Sequence, residues 1–437
     1  MKSSSRSYVA NPGGRVSGEV RVPGDKSISH RAALLGAIAQ GRTEIQGFLE
    51  GEDCASTLSA LSAMGVQHER VGPGHLVVHG TGMKGLRAPP HALDLGNSGT
   101  SMRLLAGILA GQSFESTLVG DASLMRRPME RVAEPLRRMG ADIRTHDGHP
   151  PVTIRGSRRL AGCEHRLDLP SAQVKSALLL AGLYANGRTR VQEPGISRDH
   201  TERMLGTFGV VVGRDSDAVS VEGPAAPRAA IVRIPGDFSS AAFLIAAGVI
   251  AGTDTLVIRD VGINPTRTAL LDILRLMGAD IRVHTRNSAD DEPRADIEVH
   301  PGPLRGIEVP AALVPVAMDE LPVLFAVAAL AEGETVVNRA AELRVKESDR
   351  LAAMATGLAA LGVAVEPLAD GLRIQGGRVR GGTVDSHGDH RVAMAFAILG
   401  ARAESSVIVR DVQNVATSFP AFAPTARALG LHVSEEG

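Results

Sequence analysis

Aromatic side chains and cysteines are scarce in this sequence. Tryptophan is absent, aromatic residues make up 3% of the 437 residues, and Cys54 and Cys163 are the only cysteines. The hydrophobic cores must therefore be aliphatic and rich in alanine. The two cysteines lack the spacing of a metal-ligand set, so we expect both to be buried, unreactive thiols in a chain suited to a reducing compartment.

The sequence also lacks a large net charge and a membrane-spanning run. Its formal net charge of -1 does not indicate nucleic acid or an acidic membrane surface as a partner. No apolar run is long and pure enough to cross a bilayer. Residues 1–11 are polar and lack the hydrophobic region of a signal peptide. These absences favour a cytoplasmic protein, and the length of the chain favours two domains.

Lysine is rare as well, although the chain is rich in arginine. Only five of the 47 basic residues are lysines. Arginine therefore supplies the ordinary surface charge, and the positions that keep a lysine attract attention because its compact ammonium differs chemically from a guanidinium. Three of the five, Lys26, Lys175 and Lys346, lie in motif-like turns.

One pattern recurs along the chain: a polar turn, a nearly all-apolar helix, a glycine and a β-rich run. Its first copy, PGDKSISHR, follows a short predicted strand and precedes an Ala/Leu helix predicted over residues 32–39. Asp25 or Ser27 can cap that helix, and Lys26, Ser27 and Arg31 place donors at its positive N-terminus. We interpret the turn as an anion site for phosphate or carboxylate. A capped helix with a solvated basic start is the alternative.

Five related turns precede apolar helices further along the chain. They are LGNSGTSMR from Leu95, LPSAQVKS from Leu169, IPGDFSS from Ile234, MDELP from Met318 and HGDHR from His387. Each repeat continues with a second, amphipathic helix that ends in glycine, as in LSAMGVQHE and LRRMGADIRT. The sequence therefore predicts six βαβαβ-like units, each with a buried first helix and an outer second helix.

The six units fall into two groups of three. The most similar turns, VPGDKS and IPGDFSS, lie half a chain apart, which indicates that the chain crosses from one lobe to the other and back. We expect one lobe over residues 23–234 and a discontinuous lobe over residues 1–22 plus 235–437. Parallel buried helices would bring their N-termini to a cleft between the lobes, where the polar turns would form the active site.

Several of these stretches together resemble the 5-enolpyruvylshikimate-3-phosphate synthase family. The matching stretches are PGDKSISHR, LGNSGTSMR, GDASLMRRPM, LPSAQVKSALLLAG, SRDHTERML, PTRTALLDILRLMGADI, ELRVKESDRL and GDHRVAMAF. The resemblance implies an α/β fold, the two-lobe inside-out α/β barrel of six βαβαββ units. It also implies transfer of the enolpyruvyl group of phosphoenolpyruvate to the 5-hydroxyl of shikimate 3-phosphate, with release of phosphate and no cofactor or metal. The family's inhibitor, glyphosate, resembles the donor but is longer.

The same resemblance implies a set of site residues. The catalytic residues would be Lys26, Asp319, which would take the 5-hydroxyl proton, and Glu347, near the C3 methylene of the donor. The residues holding shikimate 3-phosphate would be Lys26, Ser27, Arg31, Ser171, Ala172, Gln173, Arg198, Asp319 and Lys346. The residues holding phosphoenolpyruvate would be Lys26, Gly99, Arg127, Gln173, Arg350 and Arg391. Small-molecule substrates are the expected partners, and we expect a monomer.

Other interpretations stay open on the sequence. The related UDP-N-acetylglucosamine enolpyruvyl transferases carry a cysteine in the stretch that corresponds to residues 120–139, which here has none. A non-catalytic anion-binding protein on the same fold is the second alternative, although the intact cations and carboxylates argue against it. His387, Asp389 and His390 loosely suggest a metal site without a third strong ligand. The lysine that some family members carry before the final Thr-Phe-Pro run is absent at Ala416.

Overall fold

The computed structural model describes residues 6–156, 159–286 and 292–437. Within them the chain forms two compact units. The middle unit comprises Gly24–Ile234 together with Glu292, and the terminal unit comprises residues 6–23, 235–286 and 293–437. The chain passes from one unit to the other at Pro23 and at Ile234, which directly precede two turns of similar sequence.

The middle unit contains three copies of one arrangement of helices and strands. Its α-helices are Lys26–Ile38, Glu52–Ala63, Gly99–Ala110, Glu130–Arg138, Ala172–Gly182 and His200–Thr207. Its strands are Gln40–Gln46, Gln67–Gly72, His75–Thr81, Leu93–Asp94, Glu115–Val119, Asp142–His146, His149–Arg155, Glu164–Arg166, Gly187–Gln192, Val212–Arg214, Ala218–Gly223 and Ile231–Arg233. A 3-10 turn covers Leu124–Arg126.

The three sheets of the middle unit share one topology. In each, a short strand pairs in parallel with the strand that follows the buried helix, and an antiparallel hairpin completes the sheet. In two sheets the short strand lies just before the buried helix in sequence. In the first it is Ile231–Arg233, which pairs with Glu44–Gln46 from the other end of the segment.

The terminal unit has three sheets of related topology. Its α-helices are Phe238–Ala251, Ala269–Leu276, Val314–Ala317, Leu321–Ala328, Arg350–Ala360, His390–Leu399 and Phe422–Ala428. Its strands are Ser7–Asn11, Val16–Arg21, Gly252–Gly262, Asp280–Arg286, Arg294–His300, Glu334–Val337, Ala364–Pro367, Leu372–Gln375, Gly382–Asp385, Val407–Arg410 and His432–Glu436. Its 3-10 turns are Met318–Glu320, Ala341–Val345, Gly400–Arg402 and Gln413–Thr417.

The two crossings exchange strands between repeats. Val16–Arg21 runs into the Lys26 turn, yet it pairs with Gly252–Gly262 of the terminal unit. Conversely, Ile231–Arg233 runs toward the Phe238 helix but belongs to the first sheet of the middle unit. Ser7–Asn11 completes the last sheet by pairing with Val407–Arg410 and His432–Glu436. The repeat is therefore complete in space at each crossing although it is interrupted in sequence.

The first helix of each repeat is buried, as its all-apolar sequence predicted. Eleven consecutive residues of the Lys26 helix, Ile28 to Ile38, are buried, and the Phe238 helix is buried over nearly its whole length. Leucine, isoleucine and alanine fill both cores, in agreement with the scarcity of aromatic residues. The few phenylalanines concentrate in the terminal unit, where Phe419 and Phe422 pack edge to face.

The second helix of each repeat ends at a left-handed glycine, as predicted. One residue separates the helix from the glycine in all six cases, and each glycine has a positive φ that a residue with a Cβ adopts only at a cost. These glycines are Gly65, Gly140, Gly209, Gly278, Gly362 and Gly430. The turn lets the chain reverse directly from an outer helix into the next strand.

Candidate active site

The polar turn at the start of PGDKSISHR is shorter than the sequence predicted. The helix begins at Lys26, not at Ala32, because Asp25 accepts the backbone N–H of Ile28 at 2.9 Å and caps it. Ser27 lies inside the first turn and is not the cap. The ammonium of Lys26 forms a 3.0 Å ion pair with Asp53, which stands in the first turn of the next helix. Lys26 is therefore oriented by a neighbouring carboxylate at a helix N-terminus.

Arg31 joins two of the buried helices of the middle unit. Its Nη1 donates to the carbonyl of Ser27 at 2.9 Å, its Nη2 to Ser176 Oγ at 2.8 Å and its Nε to Thr201 Oγ1 at 2.6 Å. Burial lowers the pKa of Arg31 to about 10, against the effect of the Glu202 and Asp25 carboxylates. The guanidinium is therefore still cationic at neutral pH. Its predicted contact with shikimate 3-phosphate stays a prediction, since these three contacts are all to protein.

The Gly99 helix start brings two guanidiniums together. Ser98 caps this helix by accepting the N–H of Ser101 at 3.2 Å. A Cβ built at Gly99 would lie 3.0 Å from Nη1 of Arg103 and 3.0 Å from Nη1 of Arg127. Arg127 is buried and donates to Asn97 Oδ1 at 2.8 Å. Gly99 and Arg127, which the motifs predicted together, are thus neighbours, and the space above Gly99 is bounded by two cations.

Gln173 connects the Gly99 helix to the Ala172 helix. Its side-chain amide donates to Thr100 Oγ1 at 2.9 Å, and its Oε1 accepts from Arg103 Nη1 at 2.5 Å. Ser171 caps the Ala172 helix by accepting the N–H of Val174 at 3.4 Å. Because Gln173 bonds across to the Gly99 helix, the predicted residues of the two helix starts form one continuous polar surface.

Arg198 precedes the His200 helix on a polar segment. Its neighbour Ser197 donates to Glu193 Oε2 at 2.7 Å, and Asp199 accepts from Arg203 Nε at 2.9 Å. Arg198 itself is half-buried. The segment is therefore anchored on both sides of the arginine that the resemblance assigned to shikimate 3-phosphate.

The terminal unit gathers the predicted carboxylates around Arg350. This guanidinium is fully buried and reaches Asp389 Oδ2 at 2.7 Å, Glu347 Oε2 at 2.6 Å and Asp319 Oδ1 at 3.4 Å. Burial acts to lower the pKa of Arg350, but these three carboxylates together raise it above its ordinary value. Lys346 lies 3.5 Å from Asp319. The structure therefore brings together four predicted residues, and the sequence reasoning did not foresee the part that Asp389 plays.

Arg391 is held by the turn that carries Asp319. Its Nη1 donates to the backbone carbonyl of Asp319 at 2.7 Å, and its Nη2 donates to Ser239 Oγ at 3.0 Å. Glu320, which is 1% exposed, accepts from Ser239 Oγ at 2.5 Å and lies 3.4 Å from Arg391. Asp389 caps the Arg391 helix by accepting the N–H of Arg391 at 2.9 Å. The first turns of three buried helices thus meet in the terminal unit as they do in the middle unit.

A buried polar cluster lies beneath the Lys26 turn. Nδ1 of His30 lies 2.8 Å from Thr57 Oγ1 and 3.3 Å from Ser101 Oγ, which joins the Lys26, Glu52 and Gly99 helices. Burial, together with the nearby cations Lys26 and Arg31, lowers the pKa of His30 to about 3. The imidazole is therefore neutral under ordinary conditions and serves as a hydrogen-bonding group.

Sequence reasoning missed several residues of these clusters. Five such residues bond to predicted site residues: Arg103 to Gln173, Asp53 to Lys26, Glu320 and Ser239 to Arg391, and Asp389 to Arg350. The only available signal was their position: each stands within, or one turn beyond, a predicted polar turn or the start of a second helix. Their charge alone could not distinguish them from surface residues.

Two smaller expectations need correction or comment. Cys163 was expected to be buried like Cys54, but it is only partly buried, with its Sγ 3.2 Å from His165 Nε2. Burial still raises the pKa of the Cys163 thiol. Among the described residues, no group of three or more histidine, cysteine or acidic side chains is arranged to hold a metal ion, and the pair of His387 and His390 is no exception. Within residues 6–156, 159–286 and 292–437, no helix has the length and apolarity needed to cross a membrane.

Comparison with known proteins bears on the whole chain. The family model of EPSP synthase (3-phosphoshikimate 1-carboxyvinyltransferase) matches residues 10–425. The chain belongs to the EPSP synthase family. It is 53% identical to the 3-phosphoshikimate 1-carboxyvinyltransferase of Methylococcus capsulatus, with 98% of each chain covered. It is 55% identical to that of Alkalilimnicola ehrlichii over 97% of this chain and 96% of the relative.

Solved structures agree with this assignment. The chain is similar to EPSP synthase from Acinetobacter baumannii, with 47% identity, a TM-score of 0.89 and coverage of 99% of this chain and 100% of that one. The enolpyruvyl transferase NikO from Streptomyces tendae matches with a TM-score of 0.79 at 20% identity, over 99% of each chain, which bears on the fold alone. The predicted family and the predicted fold class, an inside-out α/β barrel, are therefore confirmed.

Proposed function

We propose that this EPSP synthase family member transfers the enolpyruvyl group of phosphoenolpyruvate to the 5-hydroxyl of shikimate 3-phosphate and releases phosphate. This is a step of the shikimate pathway toward aromatic amino acids. The observation that carries the proposal is the full-length match to 3-phosphoshikimate 1-carboxyvinyltransferases. The polar helix starts described above support it because they supply the cations that two phosphate-bearing carboxylic acids require.

We assign the acceptor, shikimate 3-phosphate, mainly to residues of the middle unit. Ser171, Ala172 and Gln173 form a helix start whose backbone N–H groups at Ala172 and Gln173 suit a phosphate, and Arg198 lies on the segment anchored beside it. Lys26 supplies a further ammonium that Asp53 orients. Asp319 and Lys346, which lie 3.5 Å apart in the terminal unit, would complete the acceptor set.

We assign the donor, phosphoenolpyruvate, to cations of both units. In the middle unit Arg127 and Arg103 both lie close to Gly99, and Gln173 accepts a hydrogen bond from Arg103. In the terminal unit Arg350 and Arg391 are buried and held in fixed orientations by carboxylates and backbone. Arginine suits this task because its planar fork can grip phosphate or carboxylate with two bonds. The prediction that the active site lies between the two units stays a prediction.

The proposed reaction needs two proton transfers and no redox step. Asp319 would take the proton of the 5-hydroxyl as its oxygen bonds to C2 of the donor, while an acid protonates C3 and gives a tetrahedral adduct. Loss of a proton from the C3 methyl group, together with departure of phosphate, then restores the double bond. Glu347 would handle the proton at C3, and the Lys26 ammonium would stabilise negative charge that develops on the substrates. Arg350 lies 3.4 Å from Asp319 Oδ1 and 2.6 Å from Glu347 Oε2, so both carboxylates belong to one cluster.

Phosphate release from phosphoenolpyruvate tests the proposed function directly. The purified protein is incubated with the donor and either shikimate 3-phosphate, UDP-N-acetylglucosamine or no acceptor. We expect release only with shikimate 3-phosphate, together with a product whose mass exceeds that of the acceptor by one enolpyruvyl group. Release with UDP-N-acetylglucosamine but not with shikimate 3-phosphate would favour the other enolpyruvyl transferases. If neither acceptor leads to release of phosphate, a non-catalytic anion-binding protein is favoured. We also propose that the protein is a cytoplasmic monomer, which chromatography with light scattering would check for the oligomeric state.

A further inference from the structure

We propose that Glu193 is a positioning residue that fixes the two separate parts of the acceptor site relative to one another. This inference rests on the proposed function, because it concerns how shikimate 3-phosphate is held. Glu193 was not among the residues that the motifs indicated. It lies just after the strand Gly187–Gln192, and only 8% of its side chain is exposed.

The two oxygens of the Glu193 carboxylate bond to two different segments. Oε1 accepts the backbone N–H of Ser171, the capping residue of the Ala172 helix, at 2.8 Å. Oε2 accepts from Ser197 Oγ at 2.7 Å. Ser171 begins the helix start assigned to the acceptor, and Ser197 directly precedes Arg198. One carboxylate therefore spans the distance between the phosphate-binding helix start and the proposed arginine contact.

A buried lysine keeps Glu193 in place. Lys175 Nζ lies 2.7 Å from Glu193 Oε2 and 2.9 Å from Glu202 Oε1, and only 5% of its side chain is exposed. Burial acts to lower the pKa of Lys175, but the two carboxylates raise it above its ordinary value. A charge pair in this surrounding is costly to break by removing one partner, because the other stays buried and uncompensated. The triad therefore holds a single geometry.

Two members of the triad are direct chain neighbours of side chains that contact Arg31, another residue predicted to hold shikimate 3-phosphate. Glu202 stands beside Thr201, whose Oγ1 accepts from Arg31 Nε at 2.6 Å and lies 2.6 Å from Ser176 Oγ. Ser176 follows Lys175 on the Ala172 helix. The helix start, the Arg198 segment and Arg31 are thus connected by buried polar groups. A site that must orient a phosphate and a reacting hydroxyl benefits from such support, since small misplacements cost rate or affinity.

Ser197→Ala is the cleanest test because it removes one tie without leaving a charge unpaired. We expect the KM for shikimate 3-phosphate to rise about three- to tenfold, less than the full contribution of one hydrogen bond to a charged group, because Lys175 and Ser171 still hold Glu193. The kcat, the KM for phosphoenolpyruvate and the melting temperature should change little. Glu193→Gln should raise the KM for shikimate 3-phosphate at least tenfold. The amide of glutamine keeps one oxygen that can accept a hydrogen bond, but its NH₂ group would face a hydrogen-bond donor that the carboxylate now binds.

Two controls separate positioning from simple loss of stability or charge. Glu164→Gln removes a half-exposed carboxylate of the same unit, which pairs with Arg190 at 2.8 Å, and should leave the acceptor KM unchanged. Ser62→Ala removes a hydroxyl from the exposed end of the Glu52 helix and should do the same. If Glu193→Gln does not fold, Ser197→Ala decides the question alone.

The outcomes also separate this inference from the proposed function. An active parent whose Ser197→Ala variant keeps the parental acceptor KM, or loses kcat and not KM, overturns the positioning role. A parent that releases no phosphate with shikimate 3-phosphate contradicts the proposed function instead. Calorimetric binding of shikimate 3-phosphate to parent and variant then decides the positioning role, since a parent-like dissociation constant for the variant, or no binding to the parent, rejects it.

Discussion

Adding a single methyl group at Gly99 should weaken binding at the donor site without unfolding the protein. Gly99 is the first residue of its helix, its φ is not in the left-handed region, and alanine is a better helix former than glycine. The backbone therefore accepts Gly99→Ala without strain. The new methyl carbon would lie 3.0 Å from Nη1 of both Arg103 and Arg127. Both guanidiniums must then move by a few tenths of an ångström.

The cost of that movement follows from how the two arginines are held. Both are buried, Arg127 is bonded to Asn97 at 2.8 Å, and Arg103 is bonded to Gln173 at 2.5 Å. Crowding of one methyl group in such a packed region costs about 1–3 kcal/mol, or about 5- to 150-fold in affinity. Glyphosate is longer than phosphoenolpyruvate and should bear more of this cost. We therefore expect the parent to be sensitive to glyphosate and Gly99→Ala to be markedly less so, with a smaller loss of donor affinity.

Inhibition curves at matched donor saturation measure this difference. Gly206→Ala is a matched control, because Gly206 is also helical and a Cβ there would have no atom within 4 Å. It should bind glyphosate as the parent does. Thermal unfolding should show that Gly99→Ala loses no more than about 1–3 kcal/mol of stability and stays folded at the assay temperature. An alanine variant that glyphosate inhibits as strongly as it inhibits the parent would show that Gly99 does not line the donor pocket.

The remaining predictions concern catalysis and pH. Asp319→Asn should lower kcat by about two orders of magnitude or more while substrates still bind, whereas near-parental turnover would remove Asp319 from the proton transfers. Glu347→Gln should lower kcat similarly and also slow deuterium exchange at C3 of the donor, read by mass spectrometry. The pKa of His30 is about 3 in the folded protein, below its value of about 6.5 in the unfolded chain. Between these two pH values the unfolded state therefore binds more protons than the folded state. The free energy of unfolding must then fall as the pH drops through this window. His30→Asn should flatten the decline of the melting temperature between pH 6.5 and 5, and a parental slope would mean that other groups cause it.

The sequence determined the repeat, the family and the kind of residue at each helix start. The all-apolar sequences predicted that the first helices are buried, and the glycine after each second helix predicted a helix-ending turn. Both signals are local in the sequence. Motifs such as PGDKSISHR and GDHRVAMAF also gave most candidate residues. These signals work because each depends on a few neighbouring side chains.

Only the tertiary structure decided which charges meet. The strand that enters the Lys26 turn pairs with Gly252–Gly262, more than two hundred residues away, and nothing in either strand specifies that partner. The sequence could not predict that Arg350 bonds to Asp389 or that Glu193 bonds to Ser171. The partners are distant in sequence, and nothing in their residue types distinguishes them from surface polar residues. A buried ion pair is specified by the packing that excludes water around both partners. That packing is a property of the folded chain, which is why charge alone did not distinguish these residues from a solvated surface.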